Sequence, residues 1–226
     1  MKQHAALLIF LMLVAFPGCK KEEIKETVTD IDGNVYNTVT IGSQVWMVEN
    51  LKVTRYRNGD PIMKITDQTA WLNSTIGAYC NYYNIDSNSE TYGHLYNWLA
   101  AGDARKIAPV GWHIPTYEEW FALQYFLGDY TVAGGKMKKA GTEYWMSPNA
   151  GTDNSSGLNG MPGGMRTNSA PGYFSGLRYF GFWWSATEES TNPLYAHYRS
   201  LRHDSPVAGW GSTFKNEGLS VRCIKD

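Results

Sequence analysis

A surplus of charge of either sign is missing from this chain. Lys and Arg number 20 against 21 Asp and Glu. No stretch gathers the basic stripe that a phosphate backbone requires, so nucleic acid is not an expected partner. Long apolar runs are missing too: the run from Ala5 to Pro17 has 13 residues, short of the about 20 that a spanning helix needs. Cysteine is scarce, with 3 in 226 residues. Internal repeats are absent, and so are the GxSxG elbow of a serine hydrolase and the HExxH spacing of a zinc helix. What the chain does have is 9 Trp, 15 Tyr, 8 Phe and 23 Gly. Many aromatics beside many glycines, with few long periodic stretches, imply a loop-rich fold knitted by bulky side chains. After a leader is removed, about 200 residues remain, enough for one well-filled core.

The leader is legible in MKQHAALLIFLMLVAFPGCKKEE. One lysine precedes the apolar run, the pattern of a secretory signal. Gly18 before Cys19 resembles the lipobox of bacterial lipoproteins, in which the cysteine carries lipid, although Phe16 and Pro17 stand where leucine and a small residue are usual. Lys20-Lys21-Glu22-Glu23 resembles the charged tag that sends Bacteroidetes lipoproteins to the outside of the outer membrane. The expected organisation is a lipoprotein signal peptide over 1–18, a charged tether over 19–28 with lipidated Cys19, and one domain over 29–226. The expected location is the cell envelope, lipid-anchored to the outer membrane and exposed at the surface. Cys80 and Cys223 are then left, and in an oxidising compartment such a pair is expected as a disulfide.

Along the domain, Asp32-Gly33-Asn34 supplies a turn, Val35 to Ile41 a β-branched alternation, and Gly42-Ser43 a second turn into a strand over Gln44 to Val48. Asn58-Gly59 marks another turn. GHLYNWLAA is expected as a short helix, with Leu95, Trp98 and Leu99 on one side. GWHIPTYEEWFAL looks at first like an active site. Its Thr116 and Glu119, however, have the spacing of a capping box, and Glu118 and Glu119 favour the positive end of a helix dipole. Trp120, Leu123 and Leu127 fall on one helix face, and Gly128 fits its stop. The stretch therefore reads as a helix start. From Gly134 to about residue 181 the chain is rich in Gly, Asn and Ser and reads as one long packed loop region. GFWWSATE, YAHYRSLR and GLSVRCIKD follow as strands. His197, His203 and Asp204 lack a nucleophile signature beside them and read as a polar sheet face.

These landmarks recur together in a known family. DIDGNVYNTVTIGSQVWMVENLK, GAYCNYYN, YGHLYNWLAA, APVGWHIPTYEEW, SGLNGMPGGMR, FWWSATE and LSVRCIKD resemble, in order, the Fibrobacter succinogenes major paralogous domain, a family whose biochemical role is not established. Many members carry a cysteine where this chain has Ala108, which leaves Cys80 and Cys223 as the only pair that could bridge. More distantly, the helix start and the closing VRC are similar to the superfamily of formylglycine-generating enzymes and C-type lectins. That resemblance implies an α+β, C-type-lectin-like domain with two helices, small antiparallel sheets and long irregular loops. It also implies that ligands are met by the loop region, here Trp145 to Trp210. The ligand-binding candidates there are Arg166, Trp183, Trp184, Tyr198, Arg202, His203, Asp204 and Trp210. Trp183 and Trp184 should point to opposite faces of a strand, one into the core and one partly exposed. Asp153, Asn154 and Asn159 could hold calcium, although the EF-hand spacing and the EPN or QPD triplets of lectins are absent.

The expected function is a surface-anchored binding module for a glycan or a protein, with no catalytic residue. A carboxylate-based hydrolase is the enzymatic alternative, because a glycosidase needs only two carboxylates brought together by the fold. A structural or assembly protein of the cell surface is the other.

Overall fold

The computed structural model describes residues 26–168 and 173–226. The expected signal peptide, Cys19 and most of the tether lie outside the described residues. The end of the tether is already folded, because β1 (Thr27–Thr29) pairs with β2 (Val35–Ile41). The first sheet continues through β3 (Gln44–Met47) and β13 (Ile224–Lys225) to β7 (Trp112–His113), in the order β1-β2-β3-β13-β7. The β2–β3 hairpin is the one the sequence announces. Ile41 pairs with Gln44, and Gly42 between them has a φ of 63°, a conformation that glycine adopts without steric cost.

The second sheet orders β12 (Ala208–Phe214), β11 (Tyr195–Arg202), β10 (Phe180–Glu188), β8 (Gly163–Arg166) and β9 (Phe174–Leu177). A third holds β4 (Met63–Lys64), β5 (Ala78–Cys80) and β6 (Leu95–Tyr96). The helices are α1 (Gln68–Leu72), α2 (Asn88–Tyr92), α3 (Trp98–Ala101), α4 (Tyr117–Phe126) and α5 (Tyr130–Met137). The fold is mixed α+β with few helices. GHLYNWLAA is not one helix. Its Leu95 and Tyr96 pair with β5, and only Trp98–Ala101 turns helical, started by the Asn97 side chain that accepts from the Ala100 N–H.

GLSVRCIKD is less a strand than a seam. Tyr96 and Leu219 exchange two backbone hydrogen bonds, as do Arg166 and Gly218. Ser220 accepts from the Trp184 N–H and donates to the Phe182 carbonyl, while Cys223 and Val221 accept from Met47 and Leu51. All three sheets therefore meet on one segment. The expected alternation of buried and exposed residues fails there, because layers pack on both sides: Ser220 and Arg222 are as buried as Leu219 and Val221.

The same layering corrects two further expectations. Trp183 and Trp184 do point to opposite faces, but neither is exposed. Trp183 joins the core of Trp46, Trp120, Leu123 and Trp145 under α4 and α5, and Trp184 joins that of Met47, Leu51, Tyr96 and Val221. Each indole N–H has a buried acceptor, Asn50 Oδ1 at 2.8 Å and the Tyr96 carbonyl at 2.8 Å respectively. The expected disulfide is not formed. Cys80 lies in a third core with Trp71, Tyr82 and Leu95, Cys223 lies in the second, and both are buried free thiols. Each is held by packing, as a small apolar side chain would be.

The long loop region is also shorter than its composition suggests. Gly134 and Gly135 continue α5, because backbone passes close against them. A Cβ on Gly134 would come within 2.4 Å of the Val207 carbonyl oxygen, and one on Gly135 within 2.1 Å of that of Gly151. The irregular chain beyond is gathered by Lys138, whose buried ammonium donates to the carbonyls of Ala150, Arg202 and Ser205 at 2.8, 2.9 and 3.0 Å.

Candidate functional site

The capping box seen in the sequence is present and sets the rotation of α4. Thr116 Oγ1 accepts from the Glu119 N–H at 3.2 Å, and Glu119 Oε2 accepts from the Thr116 N–H at 2.8 Å. With the helix started there, Trp120 and Leu123 face the core, and Trp120 packs 4.7 Å from Trp46. Residues spaced by four then line the opposite face. Tyr117, Phe121 and Tyr125 form a row of rings, with centroids 4.6 and 6.0 Å apart.

The neighbouring sheet extends this row. Trp210 of β12 meets Phe121 edge-on at 5.2 Å, and Tyr130 at the start of α5 meets Trp210 edge-on at 5.9 Å. His197 of β11 lies 4.7 Å from Tyr117 and faces the Glu189 carboxylate at 3.7 Å. Tyr125, Tyr130 and Trp210 are 67%, 48% and 44% exposed, so the rings form a ledge rather than a core. An open groove of about 560 Å³ runs along Tyr117, Glu118, Phe121 and Tyr125.

Arg199 supports the ledge from beneath. Its guanidinium lies 4.5 Å from the Phe121 centroid and 6.0 Å from that of Trp210. Arg199 Nη1 donates to Gln124 Oε1 at 2.8 Å. Burial pulls its pKa down to about 10, which still leaves it charged at neutral pH. A cation against two ring faces fixes their tilt and contributes more than it would in water.

His113, in the stretch that resembled an active site, is held between two carboxylates. Its Nδ1 meets Asp226 Oδ1 at 2.6 Å, and its Nε2 meets Glu119 Oε1 at 2.9 Å. Burial works against the charged ring, but the hydrogen bonds to Asp226 and Glu119 outweigh it and raise the pKa above the usual imidazole value. Both ring nitrogens are engaged, so the ring is a structural cation and has no free lone pair to act as a base.

The residues singled out from the sequence are not brought together. Trp210 stands on the ledge. Tyr198 lies on the other face of β11, 5.7 Å from Phe182. Arg202 and Asp204 form an exposed pair at 3.0 and 2.9 Å, and His203 packs edge-on against Tyr179 with Nδ1 3.1 Å from the Ser147 carbonyl. Arg166 is buried against Trp71 at 4.4 Å and bonds Gln68 and the carbonyls of Ile65, Thr66 and Asp67. Trp183 and Trp184 belong to cores. Those three are structural, because their polar atoms are engaged inside the protein. Asp153, Asn154 and Asn159 make turns. Asp153 Oδ1 accepts from the Ser155 N–H, and Asn154 and Asn159 bond each other twice. Among the described residues, no group of three or more His, Cys, Asp or Glu side chains is placed to hold a metal ion.

What the sequence reading missed is the second stripe of α4. Tyr117, Phe121 and Tyr125 lie opposite Trp120, Leu123 and Leu127, so the helix is apolar on both sides. Such a helix is either wholly buried or presents a contact surface.

No curated protein and no solved structure matches the chain. The family model of the Fibrobacter succinogenes major domain matches residues 39–225, within the expected domain of 29–226. That match runs from within β2 to β13 and takes in the ledge and the seam. The chain belongs to the Fibrobacter succinogenes major domain family.

Proposed function

We propose that this protein is a surface-anchored binding module, lipid-anchored at Cys19 to the outer membrane, which takes a glycan on the aromatic ledge. One observation carries the reading: five rings, Tyr117, Phe121, Tyr125, Tyr130 and Trp210, share one face between α4, α5 and β12, and three of them are exposed. A pyranose presents a flat C–H face that stacks on such rings. Rigid aromatics offer much contact area for few frozen rotors. Glu118, Glu189 and His197 at the margins supply acceptors and donors for hydroxyls. A protein ligand would use the same rings. The open groove beside a row of rings favours a chain of similar units, and hence a polysaccharide. The finer placement of the fold among C-type-lectin-like domains is part of the proposal and rests on the GWHIPTYEEW and VRC blocks.

The test is a glycan array followed by affinity electrophoresis with the retained polysaccharide. Trp210→Ala and Tyr125→Ala should each weaken binding by about fivefold or more, as exposed aromatic anchors do. Arg202→Ala and His203→Ala, which lie off the ledge, should leave it unchanged. Full retention of affinity in both ledge variants, in folded protein, removes the proposal.

A further inference from the structure

A separate hollow lies beside the start of α4, walled by α3, the 102–108 loop, β7 and the far end of β10. Its volume is about 290 Å³, near the lower bound of small-molecule sites. It is hollow because its walls are small. Ala101, Ala104, Ala108 and Ala186 line it around the indole of Trp98. That indole is fixed in place. Its N–H donates to the Ser185 carbonyl at 2.9 Å, and the Lys215 ammonium sits 4.5 Å from its centroid. Gly102 lets the ring edge lie where it does, since a Cβ there would come within 2.5 Å of it.

The rim is polar and its charges are unequal. Asp103 is bound by Arg105, through bonds of 3.0 and 2.8 Å, and Arg105 also reaches Asp60 at 3.0 Å. His113 is already saturated by Glu119 and Asp226. Lys106 has no ion pair among the described residues. It is also held in a backbone conformation that side chains other than glycine rarely adopt, with a φ of 59°. Its N–H donates to the Asp103 carbonyl and its own carbonyl accepts from the Arg57 N–H, each at 2.8 Å. Strain of this kind persists only where the surroundings fix it, and it gathers at binding sites. Here it fixes Lys106, whose exposed side chain has no ion pair among the described residues, in the wall of an apolar slot with one aromatic side.

We propose that this hollow is a second binding site, for a small planar aromatic carboxylate whose ring lies against Trp98 and whose carboxylate meets Lys106. The ring would bury apolar area on the alanines, and the anion would find the unpaired cation of the rim.

The test titrates the 15N-labelled protein with phenylacetate, benzyl alcohol and phenethylamine, following the amides of Gly102 and Ala186. Phenylacetate should give saturable shifts confined to this hollow, benzyl alcohol weaker ones and phenethylamine the weakest. Ala104→Phe and Ala186→Phe fill the slot from exposed positions, so they should fold normally and abolish the shifts. Lys106→Gln should weaken phenylacetate by about fivefold, the scale of a partly exposed ion pair, and leave benzyl alcohol unchanged. The proposal is overturned if phenylacetate gives no saturable shift. It is also overturned if both filled variants bind as before, or if phenethylamine binds as tightly as phenylacetate.

Discussion

Replacing Glu119 with alanine should destabilise the protein by an amount that depends on pH, because one carboxylate does two jobs. It caps α4 through the Thr116 N–H, and it holds the charged ring of His113. Loss of the cap costs about 1 kcal/mol at any pH. The ion pair adds to this, but both partners are about a third exposed, at 32% and 30%. Solvent screening limits that part to about 0.5–1 kcal/mol. The sign follows from the direction of the shift. The folded-state pKa of His113 is raised, so its contribution is fully present below the unfolded value near 6.5 and is lost as pH climbs through the folded value. Urea denaturation of the variant and parent should therefore give a penalty of about 1.5–2 kcal/mol near pH 5.5, shrinking to about 1 kcal/mol near pH 9. In thermal melts this is a depression of roughly 2–4 °C per kcal/mol for a domain of this size. Thr116→Ala, which removes only the cap, should cost about 1 kcal/mol at both pH values. A Glu119→Ala penalty that is the same at both, or larger in alkali, refutes the assignment of His113 as a cation held by this carboxylate.

Three other outcomes can be checked directly. Thiol titration should find Cys80 and Cys223 reduced and unreactive in the native protein and reactive only after unfolding; burial pushes the Cys80 thiol up to about 11 and the Cys223 thiol higher still. Lys138→Met removes the buried donor to three loop carbonyls and should lower stability by about 3 kcal/mol, measured by urea denaturation. Cys19→Ala should release the protein from the membrane fraction; a variant that fractionates and is processed as the parent does would sink the lipid anchor.

Local grammar is what the sequence states best. The β2–β3 hairpin and the Thr116–Glu119 box are written within a few residues, and both are present as read. Partners chosen at long range were not legible. Leu95, Trp98 and Leu99 have a helix-like spacing, yet the backbone of Leu95 and Tyr96 pairs with Cys80 and Leu219. Arg166 looked like a ligand contact, because nothing nearby shows that four acceptors near residue 67 would enclose it. The ledge of Tyr117, Phe121 and Tyr125 was not legible, because composition cannot tell a helix buried on two sides from one with a bare second side. That decision belongs to β12, which brings Trp210 alongside but leaves the row uncovered.

The shared seam also governs how the molecule opens and closes. Each sheet takes part of its pairing from the segment between Gly218 and Ile224, so no sheet can peel away without breaking bonds that another also needs. Local openings are therefore confined to the outer strands, such as β1, β4 and β12. The amides of Leu219, Ser220 and their partners should exchange with solvent only when the whole domain unfolds. The same wiring sets the folding order. Partners of the seam such as Met47, Tyr96 and Trp184 lie far from it in sequence, so closing it carries the entropy of long loops, and folding is slow for a chain of this size. Until that segment docks, three half-made sheets present open edges at once, which makes the interval before docking the one in which the chain is most prone to pair with its neighbours.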